Sequence, residues 1–124
     1  MLYLVLHAYI KLIQFDFYIS RGAFAPLYQK VRECSVEENS ATPSDVEQIC
    51  SAVDIASIWY WKEVLCLQRS AATAYLLKRR GVQAQMVVGA QQIPFKAHAW
   101  VEVSGRVVND KPYMQEMYVV IDRC

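Results

Sequence analysis

The sequence lacks most of the patterns that assign a chain quickly. None of its four cysteines lies within four residues of another, and the histidines are only His7 and His98, so no zinc-binding spacing is present and no metal or cofactor is expected. Four cysteines are also too few for a secreted disulfide scaffold. The start, MLYLVLHAYIKLIQFDFYI, is apolar but carries no basic n-region and no small-residue cleavage site. Lys11 and Asp16 interrupt it, so it is not expected to be a transmembrane segment. Net charge is +1, and the basic residues form no stripe beyond Lys78, Arg79 and Arg80, so nucleic acid is not an expected partner. Repeats, low-complexity tracts and linkers are absent too. The expectation is a single cytoplasmic domain over residues 1–124 with reduced thiols.

What is present is hydrophobic: 55% of the residues, more than so short a chain hides easily, which predicts an exposed apolar patch of the kind that marks partner surfaces. Residues 1–35 read as an apolar helical segment, with Leu2, Val5, Leu6, Tyr9, Leu12, Ile13 and Phe17 at a helical period. A buried N-terminal helix is the favoured reading, followed by a second short helix near Pro26. A polar break covers 36–42. Thr42, Pro43 and Asp45 then form an N-cap, a first-turn proline and a first-turn acid, predicting a helix from Pro43 to about Ile58. Another helix should open at Cys66 and close at Arg80, with Gly81 just past its end. Residues 43–80 are thus helical, and 82–122 alternate like antiparallel strands: VQAQMVVGA, AHAWVEV, RVVND and YVVID. Helices first and strands afterwards make an α+β domain.

Three residues carry the chemistry. Cys66 opens a helix, His98 sits in a strand between two alanines, and Asp110 ends the next strand. A thiol at a helix N-terminus gains from the helix dipole, and an imidazole beside it favours the thiolate. A carboxylate fixes the tautomer of that imidazole. Cys34, Cys50 and Cys124 read as small buried hydrophobes. The spacing suggests a three-residue hairpin loop, Val103–Gly105, which sets His98 opposite Asp110, Trp100 opposite Val108 and Glu102 opposite Arg106.

The stretch CLQRSAATAYLLKRRGVQAQMVVGAQQIPFKAHAWVEVSGRVVND resembles the transglutaminase-like leader peptidases of lasso-peptide biosynthesis, papain-like in their Cys-His-Asp order. The likeness rests on the Cys-Leu-x-Arg-Ser helix start, Leu-Leu-x-Arg-Arg-Gly at its end, Pro-Phe-x-Ala-His-Ala-Trp-Val-Glu and Asn-Asp. It implies a cysteine protease that removes the leader from a precursor peptide: Cys66 attacks, His98 moves the proton and Asp110 orients His98. It also implies partners. These are the precursor, a separate leader-recognition protein, since the chain looks too short for the fused form, and an ATP-dependent macrolactam cyclase acting afterwards. The backbone N–H of Cys66 is a natural oxyanion donor, with Tyr60, Trp61 or Trp59 as candidates for the second. Arg69 and Ser70 are read as support for the helix start. Two other functions stay open: acyl transfer to an amine instead of water, and a non-catalytic scaffold that binds leader or partner.

Overall fold

A computed structural model describes residues 1–37 and 42–124. Over those residues the order is α1 (Leu2–Ser20), α2 (Phe24–Glu33), α3 (Pro43–Trp59), α4 (Cys66–Arg79), β1 (Ala84–Gln92), β2 (Phe95–Val103), β3 (Arg106–Val107), α5 (Met114–Met117) and β4 (Val119–Arg123). The α+β expectation is correct. Of the polar break at 36–42, residues 38–41 lie outside the described residues. Thr42 caps α3 as its spacing predicts: its hydroxyl accepts from the Asp45 N–H while Asp45 reaches back to the Thr42 N–H, with Pro43 at the first turn. Two orphan donors of the helix start are satisfied reciprocally. Gly81 follows α4 at φ +91°, a left-handed position that costs glycine little.

The strands form one antiparallel sheet in the order β3-β2-β1-β4. Helices α1–α4 pack on one face of it. Their core holds Ala8, Leu12 and Phe15 of α1, Leu27 and Val31 of α2, Ile49, Val53 and Ala56 of α3, and Leu76 and Leu77 of α4 against Met86 and Val101 of the sheet. Fully burying each large apolar side chain contributes about 1.5–3 kcal/mol. A smaller cluster lies on the other face: Val87, Trp100 and Met114, with Val107, Tyr118 and Val120 against them.

Two expectations need correction. The first concerns α1, which is buried on one side only. Phe15, outside the set of residues at the helical period, is fully buried, whereas Leu2, Tyr3, Leu6, Ile10, Ile13 and Phe17 are exposed. A helix apolar all round leaves its buried face to tertiary packing, and here Phe15 and Leu12 win. Despite Lys11 and Asp16, α1 is long and apolar enough to cross a membrane by length and composition. It nevertheless gives Ala8, Leu12 and Phe15 to the core, and Asp16 to a buried hydrogen bond with the Tyr60 hydroxyl, 2.7 Å. The expected exposed apolar patch is this outer stripe with Ile58, Trp59 and Trp61.

The second concerns the β2–β3 hairpin. Its loop is the two residues Ser104 and Gly105, at φ +53° and +77°, not three. Positive φ at both central residues is the turn whose twist suits a two-residue hairpin. Val103 therefore pairs with Arg106 and Glu102 with Val107. The one-residue shift exchanges the faces of Val107 and Val108: Val107 joins Trp100, and Val108 joins the helical core. Continued regularly, this register would carry Asp110 away from His98. It is not continued, because β3 stops at Val107.

Candidate active site

The interruption of β3 builds the site. Val108 still donates its N–H to the Val101 carbonyl, 3.0 Å. The reciprocal bond of a regular antiparallel pair, Val101 N–H to the Val108 carbonyl, is replaced by the Asn109 side chain, whose Oδ1 accepts at 2.7 Å. Asn109 thereby leaves the ladder and turns the chain round the edge of β2. Asp110 lands beside His98, with Oδ2 2.7 Å from Nε2. The pairing of these two residues is as expected, although the register proposed for it is not.

The proton on His98 can be assigned from its partner. Burial works to raise the pKa of the Asp110 carboxyl, but the His98 hydrogen bond, the Lys111 N–H and the charges of His98 and Arg69 outweigh it, and the carboxyl sits below its ordinary range. An ionised carboxylate only accepts, so Nε2 donates and Nδ1 is left as the basic nitrogen. The ring is held from another side by Tyr118, stacked at 5.5 Å and 18°, and by Trp100 at 6.3 Å. Gly89, the cross-strand partner of His98, makes room for this packing: a Cβ there would stand 2.7 Å from the Trp100 ring and 2.8 Å from Tyr118 Cβ.

Cys66 is the first residue of α4. Ser70, one turn later, donates from Oγ to the Ala99 carbonyl at 3.0 Å and accepts from Asn109 Nδ2 at 3.1 Å. Near the other end of α4, Lys78 Nζ reaches the Cys124 carbonyl, and Cys124 pairs with Met86. Met86 faces Val101 across the sheet. Moving toward its N-terminus, α4 therefore passes from the level of Val101 to that of Ala99. Cys66 opens the helix one turn beyond Ser70, about 6 Å further along its axis. Residues three and four apart share a helix face, so Cys66 lies on the same side as Arg69 and Ser70, the side turned to Asp110 and Asn109. Helix N–H groups at Cys66, Leu67 and Gln68 have no acceptor within the helix, a ready set of donors for negative charge.

The remaining cysteines are chemically muted. Burial, with the Asp54 charge, pushes the Cys50 thiol up to about 11. Burial also raises Cys34 and Cys124. Tyr60, one of the candidate oxyanion donors, has both of its donors engaged elsewhere. Its hydroxyl donates to Asp16 and its N–H to the Ser57 carbonyl, and burial with that hydrogen bond pushes the phenol up to about 12. Trp59 and Trp61 are exposed, Trp61 stacking on Tyr60 at 5.8 Å. Arg69, expected only to support the helix start, reaches further: its Nη2 stands 3.7 Å from Asp110 Oδ2. An acidic residue fixed opposite a first-turn arginine leaves no mark in either local pattern. Among the described residues no group of three or more histidine, cysteine or acidic side chains could hold a metal.

A helix-opening cysteine set against an antiparallel sheet, with histidine on a strand of that sheet and aspartate on the segment that leaves it, is consistent with a transglutaminase-like domain. The chain belongs to the transglutaminase-like superfamily, whose family model matches residues 11–123. It is also similar to the microcin J25-processing protein McjB of Escherichia coli, with 43% identity over 56 residues. That match covers 45% of this chain and 27% of the relative. No solved structure matches.

Proposed function

We propose that the protein is a cysteine endopeptidase of lasso-peptide biosynthesis that cuts the leader from a precursor peptide. The hydrogen-bonded His98–Asp110 pair beside the first turn of α4 is the observation that carries this reading. Family membership and the likeness to a microcin-processing protein support it.

In this mechanism Nδ1 of His98 takes the proton of the Cys66 thiol, and the sulfur attacks the scissile carbonyl. The tetrahedral oxyanion meets the N–H of Cys66, with a second donor from the Trp61–Leu65 stretch. Collapse breaks the C–N bond, and His98 returns its proton to the departing amine, the new N-terminus of the core peptide. Water, activated by His98, then hydrolyses the thioester to the free leader acid. Asp110 holds the ring through Nε2 and steadies the imidazolium. A separate leader-recognition protein presents the precursor, a macrolactam cyclase consumes the product, and the setting is cytoplasmic.

The test is cleavage of a lasso precursor, with the recognition protein present, read by mass spectrometry. Wild type and Cys50→Ala should release the leader as a free acid, while Cys66→Ala and His98→Ala should not. Cleavage that survives Cys66→Ala would sink the reading. A leader joined to an added amine in place of the acid would turn it toward acyl transfer. Unimpaired pathway function with Cys66→Ala would turn it toward a scaffold.

A further inference from the structure

Two consecutive residues of α4 grip two consecutive residues of the β3–α5 segment. Ser70 holds Asn109 at 3.1 Å, and Arg69 stands 3.7 Å from the Asp110 oxygen that also binds His98. The other Asp110 oxygen is taken by the Lys111 N–H at 2.8 Å. Arg69 is drawn inward at a cost. Its Nε is buried without a partner among the described residues, which an arginine serving only the helix surface avoids by extending into water. The charges around it explain the orientation. Asp110 lies on one side. From α3 comes Asp54, whose carboxyl burial pushes up while the Arg69 charge pulls it down. The titratable groups at the cluster are Asp54 from α3, Arg69 from α4 with Cys66 one turn before it, His98 from β2, Asp110 and the exposed Lys111 after β3, and Tyr118 before β4.

We infer that Arg69 is a positioning residue for the proposed reaction: its guanidinium, one turn after Cys66, holds the Asp110 carboxylate toward His98 and so couples the nucleophile-bearing helix to the dyad. The inference rests on the proteolytic reading, yet the hold on Asp110 can be measured without turnover. With the cation in place, Asp110 stays an acceptor for Nε2–H at lower pH than it otherwise would. Removing the cation raises the proton affinity of Asp110, so the loss of activity on the acid side should move to higher pH. Ser70 and Asn109 fix where the segment lies, whereas Arg69 fixes its charge state.

The experiment follows the Asp110 signal in protein labelled with carbon-13 at the aspartate carboxyls, assigned by its loss in Asp110→Asn. It is run on wild type, Arg69→Gln, Arg69→Met and Arg69→Lys, beside the pH profile of precursor cleavage. Both neutral variants should raise the Asp110 midpoint by about half a pH unit, given partial solvent screening. The acid limb should move with it, and kcat should fall about tenfold, with KM little changed. Arg69→Lys should restore the midpoint and the limb, though not all of kcat, since a point charge lacks the planar fork. An unmoved midpoint in the neutral variants, or a lysine no better than glutamine, would overturn the inference. So would neutral variants that do not fold where the lysine variant does, because Arg69 would then serve the fold. Failure of the proteolytic reading looks different: wild type cleaves nothing, while the Asp110 signal still answers to Arg69.

Discussion

Replacing Asn109 by alanine probes the feature on which the site depends, the point where the β2–β3 ladder is broken. Asn109 Oδ1 takes the Val101 N–H at 2.7 Å, and its Nδ2 donates to Ser70 Oγ at 3.1 Å. Alanine removes both bonds. Val101 is fully buried, so its N–H has two fates. Left without an acceptor, it costs about 1–3 kcal/mol. Alternatively it recovers the Val108 carbonyl, which a regular ladder would supply. The second fate is cheaper in stability but extends β3, and alternation then turns Asp110 to the face opposite His98. Stability and activity are therefore linked inversely: the more completely the ladder repairs itself, the more fully His98 loses its acceptor. Urea unfolding measures the first quantity and precursor cleavage the second. The expected result is a loss of about 1–3 kcal/mol with the Nε2–H resonance of His98 retained. The other permitted outcome is near-native stability with that resonance weakened and cleavage down about a hundredfold. Full stability together with full cleavage would refute the reasoning, because neither bond of Asn109 would then matter.

Gly89→Ala should be destabilising beyond its size. The new methyl meets the Trp100 ring and Tyr118 Cβ, whose side chains support His98, and overpacking of this kind costs about 1–3 kcal/mol, visible as a lowered melting temperature. A melting temperature equal to wild type would mean that Trp100 and Tyr118 move aside freely. Acid should weaken the fold through its paired carboxyls. Asp16, Glu102 and Asp110 are each held below their ordinary values of 3.8, 4.5 and 3.8, because their hydrogen bonds and neighbouring cations outweigh burial. Their folded pKa values are depressed, so their contribution is complete above those ordinary values and is lost as pH falls below about 4 through the folded ones. Asp54, pushed up by burial, works in the opposite sense. Urea midpoints measured between pH 7 and pH 3 should fall mainly at the acid end, and a flat profile would contradict the assigned pairings.

How far the sequence foretells the molecule depends on the range of the interaction concerned. Thr42, Pro43 and Asp45 define a helix start among themselves, and Gly81 marks an end, so α3 and α4 are legible from short windows. Cys66, His98 and Asp110 are legible as residue types on particular elements. The route that joins the last two is not. It depends on Ser104 accepting a left-handed backbone at φ +53° and on an asparagine side chain taking a ladder bond, and neither shows in alternation or charge pairing. The buried side of α1 is equally hidden, since apolar residues surround the helix and only contact with α3 and α4 selects Phe15 over Phe17. Tyr60 illustrates the same limit. Its hydroxyl is engaged by Asp16, forty-four residues away, a partner that no local pattern shows.

The central claim is that Cys66 is a nucleophile served by His98. It is tested most directly with a leader-derived peptide that ends in an electrophilic ketone, incubated with the protein and mapped by mass spectrometry. The account predicts a covalent adduct on Cys66, formed far more slowly in His98→Ala, and no adduct on Cys34, Cys50 or Cys124, whose thiols are all raised by burial. Labelling of Cys50 in preference to Cys66, or labelling of Cys66 that is indifferent to His98, would contradict it.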